Sequence, residues 1–333
     1  MGQDLTLVYN EPQANVRYDS RDESAAVQGV MKEVNAVQAA LIQNGYRVTR
    51  MGLRPPLSRV RKQLQAVAAS RVFNLFEGFA GHPDTEAELA FLLEGLKLPY
   101  TGCPARVLKV ALNKGLLREL LQKEGIPVPA GQVVRIESLD DYQFELPCIV
   151  KPVAEDASHG ISEDSVVYDL HSLRTQVDHI ARAFGGAALV ETFIEGREFN
   201  VAVLGYDTPQ VLPISEITFD LPAAKPEILT YDAKWNEESV FYLGTKHVCP
   251  APIPESLADE ISRLASKIFR LLGCRGCARI DFRQNLDGQV YVIDVNPNPD
   301  IAADSGVAKQ LAAAGITYNE FIERLINERN DPV

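Results

Sequence analysis

Asp281, Asp294 and Asn296 are oxygen-bearing side chains at spacings that suit a hard cation. Residues 277–283 (CARIDFR) alternate apolar and polar, residues 285–288 (NLDG) supply a turn, and residues 289–295 (QVYVIDV) alternate again. That is the pattern of a β-hairpin. Asn296 follows Asp294 by two residues, so both side chains share one face. Pairing the strands about the turn brings Asp281 toward them. Two carboxylates and an amide make an all-oxygen set for Mg2+, which keeps its waters and is completed by phosphates. Arg279, two residues before Asp281, places a permanently charged fork on that face for a phosphate or a developing oxyanion. The competing reading is an ordinary hairpin with its acids in solvent. Asp294 inside the apolar run YVIDV argues against it, because a carboxylate among β-branched residues needs a partner.

Upstream, residues 146–151 (LPCIVK) form a short apolar strand that delivers Lys151 at its end. A lysine ending a buried strand fixes a point charge beside phosphates. The next segment, 153–162 (VAEDASHGIS), is small and polar with Gly160, and its backbone N–H groups suit terminal phosphates, although one glycine is a weak signal. Residues 76–84 (FEGFAGHPD) leave the C-terminal end of an expected strand, where open α/β sheets place ligands. Glu77 and His82 there read equally well as substrate contacts or as parts of a surface loop. Cys274 and Cys277 form a lone CxxC, which without a second pair of ligands reads as packing between a helix and a strand.

Periodicity supplies the elements that must hold these groups. Residues 5–9, 46–51 and 71–75 read as strands, with helices at 24–44, 60–69 and 85–96. That alternation predicts an open, mostly parallel α/β sheet, and no GxGxxG accompanies it. Residues 105–123 read as one helix containing Lys114, followed by strands at 131–135, 146–151, 187–193 and 199–205. Helices are expected at 257–272, 307–314 and 318–330. Residues 219–254 are Pro-rich and aperiodic, contain Tyr231, Lys234 and the single tryptophan Trp235, and read as a lid or a disordered segment, with 219–250 expected to act as a mobile lid.

A chain of 333 residues implies two or three domains, and 46% hydrophobic with 23% charged residues is ordinary for a globular protein. A net charge of −12 disfavours a nucleic-acid footprint yet leaves room for a nucleotide held by a few local lysines and arginines. No apolar run reaches the length of a membrane span, and no signal peptide is visible at the start. Five irregularly spaced cysteines fit reduced thiols, so the expected location is the cytoplasm.

Six segments in order resemble the ATP-grasp superfamily, and within it D-alanine–D-alanine ligase and its relatives. They are LKLPYTG (96–102), IVKP (149–152), LVETFIEGREFNVAVLG (189–205), YDAKW (231–235), LGCRGCARIDF (272–282) and VIDVNPNP (292–299). The resemblance implies an α/β plus α+β architecture. An N-terminal open parallel domain (1–102) would precede a central subdomain (103–188) and a C-terminal subdomain with the metal site (189–333), the last two gripping ATP. It implies ligation of a carboxylate to an amine through an acyl phosphate, with ATP and Mg2+, or Mn2+ in its place. By motif, Lys114 and Lys151 would contact ATP phosphates, Glu191, Phe193 and Ile194 the adenine, and Glu198 the ribose. Lys234 would reach the γ-phosphate, Arg279 the transferring oxygens, and Asp281, Asp294 and Asn296 the metal. Ser158 would act from the phosphate loop.

Departures from the family pattern fall on the amino-acid contacts. Residues 10–24 (NEPQANVRYDSRDES) lack the family's Gly-rich stretch, and the phosphate loop reads Asp-Ala-Ser-His-Gly at 156–160. Where the family has Pro-Gly-Met-Thr, this chain has Pro299, Asp300, Ile301 and Ala302, with Ser305 near the position of a carboxylate-binding serine. The expectation is therefore a paralogue, with a true D-alanine–D-alanine ligase, a kinase or a non-catalytic nucleotide-binding protein as alternatives. The expected partners are small carboxylate and amine substrates, without nucleic acid or membrane, and a homodimer is allowed.

Overall fold

The computed structural model describes residues 3–12, 25–67, 71–79, 81–141, 145–155, 158–206 and 208–327. Parts of the expectations for 10–24, 60–69, 156–160 and 318–330 lie outside them. The N-terminal part runs β1 (Asp4–Asn10), α1 (Ala25–Gln43), β2 (Arg47–Leu53), α2 (Leu57–Gln65), β3 (Arg71–Leu75) and α3 (Thr85–Gly95). Its sheet has the order β2-β1-β3 and is parallel throughout, as the alternation predicted. β1 (DLTLVYN) is buried at every position after Asp4, the condition of a central strand covered on both faces.

The central part contains α4 (Ala105–Leu112), α5 (Lys114–Lys123), β4 (Gly131–Val134), β5 (Cys148–Pro152), β6 (Val166–Val167), α6 (Leu170–Phe184) and β7 (Ala188–Thr192). Its strands form one antiparallel sheet of order β4-β7-β5-β6. β7 thus belongs wholly to this sheet, which runs past the division expected at 188/189. The single helix expected at 105–123 is two helices. Asn113 leaves helical geometry at ψ 89°, and its side chain accepts from Leu116 N at 3.0 Å to cap α5. Apolar periodicity continues across such a break, so the pattern alone does not reveal it.

The C-terminal part contains β8 (Gly196–Gly205), β9 (Gln210–Val211), β10 (Ser215–Phe219), α7 (Tyr231–Trp235), α8 (Val240–Gly244), β11 (Thr245–Val248), α9 (Glu255–Leu272), β12 (Gly276–Asn285), β13 (Val290–Asn296), α10 (Gly306–Ala313) and α11 (Tyr318–Asn327). Its strands are ordered β11-β10-β8-β12-β13, with β9 on β8. The stretch 219–254 is not aperiodic coil: it holds two five-residue helices and an edge strand, each shorter than the window in which periodicity can be read. α9 buries Leu257, Ile261, Leu264, Ile268 and Phe269 along one stripe, and Gly273 ends it at φ 73°.

Two cores tie the ends of the chain together. One packs α3, α4, α5 and α9 against one face of the large sheet. The other packs β1 and α1 against α10, α11 and the opposite face at Ala202 and Leu204. Among the described residues, no helix is long and apolar enough to cross a membrane.

Candidate active site

The hairpin forms where the alternation placed it. Gly288 N donates to Asn285 O at 3.0 Å, and Gly288 takes φ 89° to close the turn. From the turn, Gln284 pairs with Val290 and Phe282 with Val292, but Asp281 pairs with Asp294. One extra residue, Ile293, is therefore accommodated on β13. Without that bulge Asp281 would oppose Ile293, and Asp294 would point to the other face. The bulge brings the two carboxylates opposite one another and sets Asn296 opposite Arg279.

These groups form one wall of a cleft with about 930 Å³ of empty space. The other wall comes from the central sheet and the loop after it. Lys114, Lys151, Ser158, Glu191, Phe193, Ile194, Glu198, Lys234, Arg279, Asp281, Asp294 and Asn296 all line it. Charges meet in pairs: Lys114 Nζ lies 3.4 Å from Asp294 Oδ1 between the two walls, and within the central sheet Lys151 Nζ donates to Glu191 Oε2 at 3.0 Å. Arg279 donates Nε and Nη2 to the two oxygens of Asp281 at 2.8 and 2.9 Å. Ile149, Ile161, Phe193, Ile194, Ile228 and Leu229 give the cleft an apolar end.

The break at Asn113 positions Lys114 at the start of α5, where its backbone N donates to Val153 O at 3.0 Å just beyond β5. From the segment 219–254, Ile228, Leu229 and Lys234 line the cleft. Ser158 Oγ donates to Leu229 O at 3.1 Å and Tyr231 N to Ile161 O at 2.9 Å. The His159 and Tyr231 rings lie 5.4 Å apart, and Lys234 enters from α7. Burial, then repulsion from Arg279, pulls the Lys234 ammonium from 10.5 down to about 8, although Asp281, Asp294 and Glu198 oppose this. Asp294 is held below the usual carboxylate range. Burial alone would raise it, but Lys114, Lys151 and Arg279 together prevail.

Sequence reasoning passed over Arg283, which follows Arg279 and Asp281 at the same period of two. It is 3% exposed, donates to Glu198 Oε2 at 2.9 Å and lies 4.9 Å from the Phe193 ring centre. Burial raises the Glu198 carboxyl, with Arg283 opposing. Arg118, also missed, stands 3.5 Å from Glu191 Oε1. An i, i+2 count from Asp281 would have found Arg283, whereas no local signal marks Arg118.

The four residues expected at the substrate end are not among those lining the cleft. His82 is exposed, and its backbone shapes a turn, with N donating to Phe79 O at 2.8 Å. Ser305 is buried and caps α10, accepting from Ala308 N at 3.2 Å. Glu77 is exposed, while Asp300 Oδ1 accepts from Ala302 N at 2.8 Å. Both acids stand near Glu33 of α1, a residue missed in the sequence, whose carboxyl is pushed well above its usual range by burial and then by these two neighbours. Glu33 Oε1 accepts from Ile301 N at 2.9 Å. The charges of Arg279 and Lys234 act on Asp300, which places Asp300 toward their side of the cleft.

A family profile described as "D-ala D-ala ligase C-terminus" matches residues 120–327. A D-alanine–D-alanine ligase of Gluconobacter oxydans is 33% identical over 291 residues, 87% of this chain and 90% of the relative. The chain belongs to the D-alanine–D-alanine ligase family. Family membership makes it an ATP-grasp enzyme of the carbon–nitrogen ligase kind. Solved structures agree on the fold. The D-alanine–D-alanine ligase of Bacillus anthracis complexed with ATP superposes with TM-score 0.74 at 20% identity, covering 98% of this chain and 96% of that one. The VanG D-Ala:D-Ser ligase of Enterococcus faecalis superposes with TM-score 0.75 at 18% identity, covering 98% and 99%.

Proposed function

We propose that this member of the family is an ATP- and Mg2+-dependent ligase that activates a carboxylate as an acyl phosphate and joins it to an amine. The observation that carries this reading is the convergence of Lys114, Lys151, Lys234, Arg279, Asp281, Asp294 and Asn296 on one cleft with an apolar end. The apolar end takes a purine between Ile149, Ile161, Phe193 and Ile228, with Glu191 at its edge and Glu198 at the ribose. The lysines then meet the phosphates. The bound ATP of the Bacillus anthracis relative supports this use of the fold.

The donor set fits a hard divalent cation: two carboxylates placed opposite each other and a neighbouring amide oxygen, with space beside them for waters and phosphate oxygens. Such a cation supplies charge neutralisation for phosphoryl transfer. The chain's own residues do the rest by positioning and charge. Lys114 and Lys151 orient the nucleotide, and Lys234 follows the transferring phosphoryl group. Arg279 leaves Asp281 to face the oxyanion that forms when the amine attacks the acyl carbon. In the first step a substrate carboxylate oxygen bonds to the γ-phosphorus as the bond to ADP breaks. In the second the amine displaces phosphate. The segment 219–254 excludes the water that would hydrolyse the acyl phosphate.

The substrate pair differs from two D-alanines in this reading. Glu33, Glu77 and Asp300 gather acid beside the cleft, which disfavours a further substrate carboxylate there. A substrate bearing an additional amine suits that end. ADP release, measured with Mg-ATP against a panel of acids and amines, tests both levels of the proposal. A ligase releases ADP only when both substrates are present, a kinase needs one, and a binding protein releases none. D-alanine alone giving dipeptide at about 1–100 per second would overturn the paralogue reading.

A further inference from the structure

The loop leaving β13 departs from the family pattern, and its first polar residue, Asn298, spans two parts of the fold. Its Nδ2 donates to Glu86 Oε1 at 2.6 Å and to Phe76 O at 3.3 Å. Its backbone N donates to Asn296 Oδ1 at 2.9 Å. Glu86 lies in the first turn of α3 and is 8% exposed, and Phe76 follows β3 and is fully buried. An unbroken path therefore runs from the first turn of α3, through one asparagine, to the amide oxygen of Asn296.

A plain loop tie would need only the bond to Phe76 O. A buried carboxylate costs desolvation, and a 2.6 Å bond from an amide is the short, charge-assisted kind that holds its donor in one rotamer. Holding the Asn298 side chain also holds its backbone N–H against Asn296 Oδ1. An amide oxygen has two lone pairs. Fixing one on Asn298 N orients the other, which is what a ligand to a hard cation requires, and partners of this kind commonly tune metal sites.

We propose that Glu86 is a positioning residue for the metal site. Through Asn298 it fixes the Asn296 amide so that Oδ1 faces a divalent cation, and the N-terminal sheet-and-helix unit thereby completes a site whose ligands all lie on the C-terminal hairpin. This rests on the reading of Asn296 as a metal ligand, and the test separates the two.

The experiment is Mn2+ binding, followed by electron paramagnetic resonance of the free ion, to full-length protein saturated with a non-hydrolysable ATP analogue. Affinity of the analogue in chelator is measured beside it. Asn296→Ala, Glu86→Ala and Asn298→Ala are each expected to weaken Mn2+ binding by roughly 10–100-fold, with metal-free analogue binding unchanged. Glu86→Gln keeps an oxygen for Asn298 Nδ2 and is expected to restore Mn2+ affinity to within about threefold of wild type, since only the charge assistance is lost. Wild-type Mn2+ affinity in Glu86→Ala, with Asn296→Ala weakened, would overturn the positioning role. Wild-type affinity in Asn296→Ala would overturn the metal reading instead. Where Glu86→Ala does not fold, Asn298→Ala at its half-buried loop position decides the same question: unchanged Mn2+ affinity there sinks the proposal.

Discussion

Asp294 is the residue on which the hairpin, Lys114 and the proposed cation converge. Asp294→Asn keeps the shape and removes the charge, so turnover is expected to fall at least about a hundredfold while the circular-dichroism melting curve stays near wild type. Normal turnover in this variant would make the hairpin structural. Lys234 carries a pH dependence. Its ammonium titrates at about 8, so its charge is present at pH 7 and is lost as pH rises through that value. Nucleotide phosphates favour the charged form, so binding takes up a proton, and affinity is expected to fall by up to about tenfold per pH unit above 8. Titrating an ATP analogue from pH 7 to 9.5 checks this, and Lys234→Arg, charged throughout, should flatten the profile. For the ligand-free fold the sign reverses. The unfolded state holds the proton more tightly, so this group's burial penalty is relieved as pH rises from about 8 toward 10.5.

At the scale of elements, the break between α4 and α5 is what places Lys114. Asn113→Ala removes the cap on α5 and is expected to cost about 1 kcal/mol of stability, measured by urea denaturation. It should also weaken nucleotide binding, because Lys114 N no longer has a fixed start to its helix. Asn113→Asp, which keeps a capping oxygen, should restore most of both. The cap was present in the sequence, but helical periodicity runs through 105–123 and only the bond from Lys114 N to Val153 O shows why the chain breaks there. The short helices α7 and α8 escaped for a related reason. Five residues make little more than one turn, and such helices are held by the fold around them, α7 by Tyr231 N donating to Ile161 O and α8 by packing on α7, rather than by their own pattern.

At the scale of the whole molecule, the chain returns on itself. α11 packs on α1, and Phe321 and Ile322 are fully buried in the core they share with β1 and Leu204. Phe321→Ala is expected to cost roughly 3–5 kcal/mol and, because that core joins both ends, to lower one shared calorimetric transition. Two well-separated transitions would mean that the N- and C-terminal parts are held less tightly than this packing indicates. The aromatic chain from His159 through Tyr231 to Trp235 extends from the phosphate loop toward α1, where a Cβ placed on Gly29 would meet the Trp235 ring at 2.9 Å. That contact joins α7, which carries Lys234, to α1.

The sequence by itself determined the local elements: the hairpin turn at 285–288, the parallel N-terminal sheet, the amphipathic α9, and the strand that ends near Lys151. Each follows from a period of two or of 3.6 and from turn chemistry, which act over a few residues. The six motifs likewise determined the family. Tertiary structure alone decided the rest. A regular hairpin would have set Asp281 against Ile293; the bulge that sets it against Asp294 is a one-residue shift that no alternation count contains. Glu33, Glu86 and Arg118 carry no local signal, because each meets its partner, Ile301, Asn298 or Glu191, across a large stretch of chain. Tertiary context also decided that the Ser305 hydroxyl caps α10, where a backbone N–H must be satisfied, and that His82 enters its turn through the backbone alone.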